Sequence, residues 1–490
     1  MCAWKPLEVA DNHPDKEAVT DTPLEEPVKV DVKREYSVPS IDLSQLNHRL
    51  ADIQKRLTLP LSGRKQGVVF ESIGLLLTVK GLSTPLGELC YVALSERMLP
   101  AVVTGFKENI TYLMPLASPV SVMSGCHVYP TGYPIRVPVG EALLGRVLDG
   151  LGRPLDRLGD LSVTYESLHA LPINPLHRKP IAETLDVGVK AIDGLLTIGK
   201  GQRMGLFSTS GLGKSVLLGM MARHAKADVV VVSLVGERGR EVRDFIEQQL
   251  GELALRHSVV IATPADDMPM MRVNGAIMAM RIADFFRRSG KHVLLLMDSL
   301  SRVADAQREV AISMGEPIGL KGYPSSVFQL LATLVEMAGS FKETAGSVTG
   351  LFTVLAQDER GTDPIVHAVR SVLDGHIVLS KAYAEQGRYP AIDLEASLSR
   401  VMTQLVDKRH RQMAMQFRRW HALYRENKDL LNMGAYVFGQ DKETDLAIKK
   451  QQSMEAFLRQ DQTTSVDSMQ TRSLLSKITE KDADTGAKKV

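Results

Sequence analysis

Eight residues constrain this chain more than any others. Ser208-Thr209-Ser210-Gly211-Leu212-Gly213-Lys214-Ser215 stand between a strand-like run, Met204–Phe207, and a helix-like run, Val216–Arg223. Strand, glycine-rich loop and helix in that order make a cradle for an anion, because the unpaired N–H groups of the loop and the helix start converge there. The residues from Ser208 to Ser215 are therefore the candidate contacts to a nucleotide's phosphates, and Val216 at the helix start is a further candidate contact to the nucleotide. Lys214 would reach the terminal phosphates, and the Ser215 hydroxyl would hold magnesium. The full pattern has glycine where Ser208 stands, and serine is less free at positive φ, so the usual opening turn is not assured by the sequence.

What surrounds the loop agrees with it. Beyond residue 200, apolar runs at Val229–Leu234, Val259–Thr263, Val293–Met297 and Leu351–Leu355 alternate with helical patterns such as Glu241–Gly251 and Asn274–Arg288. That rhythm predicts a largely parallel sheet covered by helices. Val293–Met297 ends in Asp298, a carboxylate at the sheet edge where ligands bind, which either holds magnesium or serves a turn. Glu237, after Val229–Val235, either orients the water that attacks the γ-phosphate or favours a helix start through the dipole. In Tyr389–Arg400, the Tyr389 ring can stack on a base and Arg400 can stabilise charge, although an arginine there also suits a surface ion pair.

The remainder divides into further units. A chain of 490 residues exceeds one compact core and suggests about three folding units. Residues 1–40 carry five prolines and nine acids against five bases, a composition that predicts a disordered acidic tail. At 41–58, Leu46, Leu50, Ile53 and Leu57 form a narrow helical stripe, suited either to a partner or to the chain's own next domain. Short β-rich runs from 60 to 132 predict a small antiparallel barrel. The sheet domain is expected over 133–405, helices over 406–460, and a fraying polar tail over 461–490.

Composition excludes several classes. Lys plus Arg total 59 and Asp plus Glu 57, a net charge of +2 that argues against a protein that coats nucleic acid. No apolar run approaches the ~20 residues of a membrane span, and the start has no signal-peptide core. Three cysteines (Cys2, Cys90, Cys126) without metal spacing fit a reducing compartment.

Tyr389–Arg400 resembles the signature of rotary ATP synthase subunits and their relatives. Together with Gly236–Val242, Pro264–Asp267, Met297–Arg302, Lys321–Pro324 and Leu373–Ser380, it is most similar to the type III secretion ATPases. The wording at Lys321–Pro324 and Asp363–Lys381 resembles the flagellar export branch more than the injectisome one. The resemblance spans roughly residues 60–445 and implies an α/β fold: a RecA-like parallel-sheet ATPase core with a small N-terminal β-barrel and a C-terminal helical domain. It implies ATP and Mg2+ as substrate and cofactor, with Lys214 and Ser215 on phosphate and metal and Asp298 on the metal side. It assigns Glu237 to polarising water, Tyr389 to the adenine, and Arg400 to an arginine finger that serves the neighbouring subunit. It further implies a homohexamer at the cytoplasmic face of the inner membrane. There it would meet export gate membrane proteins, a stalk-like central protein, chaperone–substrate complexes on the C-terminal helices, and a regulatory dimer on helix 41–58.

Three other readings compete. An ATP synthase subunit is disfavoured by Glu237 on one side and, on the other, by basic runs (Lys408–Arg411, Arg418-Arg419) in place of an acidic C-terminal loop. An RNA-translocating hexamer needs stacking aromatics in its barrel, and residues 60–132 offer few: Phe70, Tyr91, Phe106, Tyr112 and Tyr129. A scaffold that binds ATP without turnover is disfavoured by the presence of Lys214, Glu237 and Arg400 together.

Overall fold

The computed structural model describes residues 66–169, 174–319, 322–356 and 363–480. The expected acidic tail (1–40) and amphipathic helix (41–58) lie outside the described residues, as do Lys321 of the Lys321–Pro324 segment and residues 481–490.

Six antiparallel strands open the described chain: β1 (Gly67–Ile73), β2 (Leu76–Lys80), β3 (Glu88–Ala93), β4 (Met98–Lys107), β5 (Ile110–Pro115) and β6 (His127–Pro134). They close in the order β1-β2-β5-β4-β3-β6, so that no edge is left to pair with another chain. The two-residue period of a strand fills the interior. Cys90 and Val92 of β3 are fully buried and join Val69, Leu77, Leu99 and Leu113 in a separate core. Phe70 and Phe106 face solvent, with the Lys80 ammonium 3.5 Å from the Phe70 ring centroid.

The larger sheet has nine strands. Its main strands are β7 (Val147–Leu148), β8 (Arg203–Ser208), β9 (Val229–Val235), β10 (Ser258–Thr263), β11 (His292–Asp298), β12 (Ser347–Leu355), β13 (Gly375–Leu379) and β14 (Ile392–Ser399). Their order is β14-β13-β8-β12-β11-β9-β10-β7. All neighbours along this path pair parallel except β14, which runs antiparallel on β13 at one edge. Strand β9 is buried at every position because helices cover both faces. Val229, Val231 and Val235 enter one core, while Val230, Val232 and Leu234 enter the other.

The helices that frame the sheet include α1 (Lys190–Leu195), α2 (Lys214–His224), α3 (Pro269–Arg288), α4 (Leu300–Ser313), α5 (Ser325–Met337), α6 (Pro364–Val372), α7 (Lys381–Glu385), α8 (Lys408–Asn432), α9 (Lys442–Leu458) and α10 (Ser468–Thr479). The first core takes Ala276, Ile282 and Phe286 of α3 with Val303 of α4 and Leu331 of α5. The second takes Leu217 and Met221 of α2, with Phe417 and Trp420 of α8 and Phe457 of α9.

The polar tail expected from 461 is corrected by α10. Asp467 caps that helix by accepting from the Gln470 N–H at 2.7 Å, and Thr471, Leu475 and Ile478 are buried. A Cβ at Gly194 of α1 would stand 3.0 Å from Thr471 Cγ2, so the missing side chain lets the two helices approach closely.

Candidate functional site

Strand β8 ends at Ser208, which is buried and accepts from the Ala356 N–H at 3.0 Å. The turning falls to Gly211 (φ 82) and Gly213 (φ 83), both left-handed, where glycine carries no Cβ penalty. Ser208 needs no positive φ, so the expected disturbance of the loop is absent and the serine continues the strand. Gly213 is the N-cap of α2 and no side chain caps that helix, so its first-turn N–H groups face the loop's mouth without a side-chain acceptor.

Lys214, Glu237 and Asp298 meet at this mouth because β8, β9 and β11 run parallel and end at one edge of the sheet. The Lys214 ammonium bonds to Asp298 Oδ1 and lies 3.3 Å from Glu237 Oε1. The three side chains are only 10%, 15% and 3% exposed in the order Lys214, Glu237, Asp298, so the pairing is poorly screened. Burial alone would lower the Lys214 pKa, but the two carboxylates outweigh it and hold the ammonium above its ordinary value. Burial pushes Glu237 up to about 7, the Asp298 charge adds to this, and Lys214 opposes it. The Thr353 hydroxyl donates to Asp298 Oδ1 at 2.8 Å and fixes that carboxylate. Gly236, at φ 69, lets the chain turn after β9 close to Arg302, whose Cβ lies 2.8 Å from where a Gly236 Cβ would be.

Tyr389 lies against the loop from the other side, its ring 3.5 Å from where a Gly213 Cβ would sit. Tyr389, Gly213, Val216, Leu217 and Met220 line a cavity of about 350 Å³, closed by Gln460, Asp461 and Gln462. A flat aromatic ring and aliphatic side chains beside a phosphate loop suit a purine.

Arg400 is not brought to the loop. Its N–H donates to the Asp374 carbonyl at 3.0 Å, and the Asp374 N–H donates to the Arg203 carbonyl at 2.9 Å. Because β14 runs antiparallel, Arg400 sits at the start of β8, about 16 Å of strand from the loop that follows Ser208.

The ATP synthase alpha/beta family nucleotide-binding domain matches residues 188–399, and the T3SS EscN ATPase C-terminal domain matches residues 406–477. A flagellum-specific ATP synthase of Pseudomonas aeruginosa is 48% identical over 425 residues, covering 86% of this chain and 94% of that protein. The chain belongs to the type III secretion ATPase branch of the ATP synthase alpha/beta family. Another relative, a type 3 secretion system ATPase of Xanthomonas euvesicatoria, is 43% identical, covering 83% of this chain and 92% of that protein. The assembled ATPase EscN of enteropathogenic E. coli superposes with a TM-score of 0.79 at 38% identity, covering 84% of this chain and 99% of EscN.

For a type III secretion ATPase, the oxygen donors at hand fit magnesium carried on a nucleotide. The Ser215 hydroxyl, on the first turn of α2, and the Asp298 carboxylate, at the end of β11, are hard oxygen donors that would suit magnesium, which commonly takes only one or two protein oxygens beside substrate phosphates. No group of three or more His, Cys, Asp or Glu able to hold a metal ion occurs among the described residues. Two contributors escaped the sequence reading. Thr353 sits mid-sheet with no motif to mark it, although the parallel register Met297↔Phe352 sets it beside Asp298. Gln460–Gln462 fall where the composition turns polar, and only the return of the chain from α9 brings them to Tyr389.

Proposed function

We propose that this ATPase hydrolyses MgATP at the subunit interfaces of a homohexameric ring and drives the export of flagellar proteins. The observation that carries the chemistry is Lys214 held between Glu237 and Asp298 at the mouth of the loop. The first-turn N–H groups of α2 receive the phosphates, and the polyphosphate competes with the two carboxylates for Lys214. Glu237, displaced upward in pKa, then orients water and accepts its proton as the water oxygen bonds to the γ-phosphorus and the bond to the bridging oxygen of the departing ADP breaks. Ser215 and Asp298 would hold the magnesium ion, which would neutralise phosphate charge. Tyr389, with Val216 and Gln460, receives the adenine.

Arg400 supports catalysis between subunits. On the far side of its own sheet from its own loop, it serves a neighbour's γ-phosphate if the ring sets the two edges together. Export driven by ATP follows from the family. The flagellar assignment is supported by the identity of 48% to the Pseudomonas aeruginosa protein and 47% to a flagellum-specific ATP synthase of Salmonella typhimurium, against 43% for the type 3 secretion relative. EscN has been solved with its central stalk EscO, which supports a stalk-like protein in the ring here. The remaining proposed partners are a regulatory dimer on residues 41–58, chaperone–substrate complexes on the C-terminal helices, and export gate membrane proteins. The site of action is the cytoplasmic face of the inner membrane. No helix among the described residues is long and apolar enough to cross a membrane.

The test is ATP turnover per chain against protein concentration, for wild type and Lys214→Ala. Turnover that climbs with concentration and is absent in the variant is expected. Equal activity in Lys214→Ala would remove the loop from the chemistry.

A further inference from the structure

A basic cavity of about 180 Å³ lies behind the Tyr389 wall, lined by Arg388, His421, Arg425, Lys428, Glu455 and Arg459 among others. Four of these six side chains are permanent cations and one is a carboxylate. That carboxylate is shared: Glu455 Oε1 accepts from Arg459 Nε at 3.0 Å, and Oε2 lies 3.5 Å from Arg388 Nη1. Arg425 pairs with Glu395 at 2.9 Å, and Asp393 stands 3.9 Å away. Lys428 forms no ion pair among the described residues.

Two buried nitrogens of the lining have no hydrogen-bond partner, Arg388 Nε and His421 Nδ1, in residues 2% and 7% exposed. The Glu395 carboxylate stands 3.6 Å from His421 Nδ1, beyond hydrogen-bond reach. The Arg388 guanidinium is held in place, its carbon 3.2 Å from the Tyr383 ring centroid and its Nη2 donating to the Ile392 carbonyl at 3.0 Å. Burial first, then the Arg388 and Arg425 charges, push the His421 imidazole down to about 4, against the opposing pull of Glu455 and Asp393. The imidazole is thus neutral at pH 7, and the four cations of the lining outnumber the three carboxylates at hand, Glu455, Glu395 and Asp393.

We propose that this cavity binds a small oxyanion of the phosphate class and couples it to the nucleotide site. Guanidinium forks match tetrahedral oxyanions, and an unpaired buried N–H such as that of Arg388 Nε is a group an acceptor would satisfy. The volume suits a single phosphate and is too small for a nucleotide. Coupling runs through two chain steps. Arg388 and Arg459 face this cavity, while their successors Tyr389 and Gln460 line the nucleotide-side cavity and bond to each other, Gln460 N–H to Tyr389 carbonyl, at 3.0 Å. An anion that fixes the two arginines therefore fixes the two residues expected on the adenine. The coupling rests on that reading of Tyr389; the binding does not.

The test is equilibrium dialysis of the full chain against radiolabelled inorganic phosphate, with ionic strength held by chloride. Lys214→Ala serves as background, to silence phosphate at the loop. One saturable phosphate per chain is expected. It should weaken roughly tenfold or more in Lys214→Ala/Lys428→Glu, as befits loss of a charge-assisted contact at a half-buried site that leaves the fold intact by circular dichroism. The His421 ring, followed by NMR, should titrate at higher pH with phosphate than with chloride alone. In a chain with Lys214 retained, phosphate should change the affinity for a fluorescent ADP severalfold, and Lys428→Glu should remove that change. Absence of saturable phosphate in Lys214→Ala, full binding in the double variant, an unmoved His421 titration, or an ADP response indifferent to Lys428→Glu would overturn the proposal. Turnover by Lys214→Ala would instead refute the nucleotide-site reading and leave the phosphate result standing.

Discussion

Glu237 is a carboxylate whose ordinary range lies near 4, pushed up to about 7 by burial and by Asp298. Only its ionised form can accept a proton, so kcat/KM should fall as pH drops through about 7 and level off above it. An acid limb at pH 4–5 in the pH–rate profile would contradict this. Gly213→Ala places a Cβ at φ 83 and 3.5 Å from the Tyr389 ring, so we expect a cost of about 1–2 kcal/mol and weaker nucleotide binding, read by calorimetry. At this scale the loop was legible in the sequence because the flanking strand and helix fix what the glycines must do. The concern over Ser208 arose because the spacing of the motif does not say which residues carry positive φ. The structure gives that task to Gly211 and Gly213. Thr353 was not legible, since its role depends on the register of a strand some 55 residues beyond Asp298.

Among the elements, the segment after α9 was the one misread. Its sequence is polar, and only the buried positions Thr471, Leu475 and Ile478, three and four apart, betray a helix that packs on α1. Gln460 anchors that return: its side chain accepts from the Lys190 N–H at 2.8 Å and donates to the Gly188 and Thr464 carbonyls at 2.7 and 2.8 Å. Gln460→Ala should lower stability by about 1–3 kcal/mol in urea unfolding and raise the KM for ATP. Stability loss with an unchanged KM would detach the C-terminal return from the nucleotide site. Asp193 of α1 accepts from the Val187 and Gly188 N–H groups at 3.0 and 2.9 Å, yet burial pushes it up to about 7. A raised acid stabilises the fold while protonated. Its contribution is therefore present below about pH 4 and lost as pH rises toward 7. The difference in Tm between wild type and Asp193→Asn should change across that window and be flat above it.

For the whole molecule, the order of barrel, parallel sheet and helices could be read from the alternation of short β-rich runs, buried runs and amphipathic runs. The placement of Arg400 could not, because it depends on one antiparallel strand at the edge of an otherwise parallel path. If Arg400 has the role proposed for it, that placement makes a single chain chemically incomplete. Lys214, Glu237 and Asp298 gather at one end of the sheet, and Arg400 sits at the other. The direct test of catalysis shared between subunits is complementation. Arg400→Ala and Glu237→Gln chains, each inactive alone, are mixed in equal amounts under conditions where mixed rings are shown to form by mass spectrometry. Random mixing restores both groups at roughly a quarter of interfaces. ATP turnover should therefore reappear in the mixture at a fraction of the wild-type rate. Mixed rings that remain inactive would contradict an arginine supplied by the neighbouring subunit.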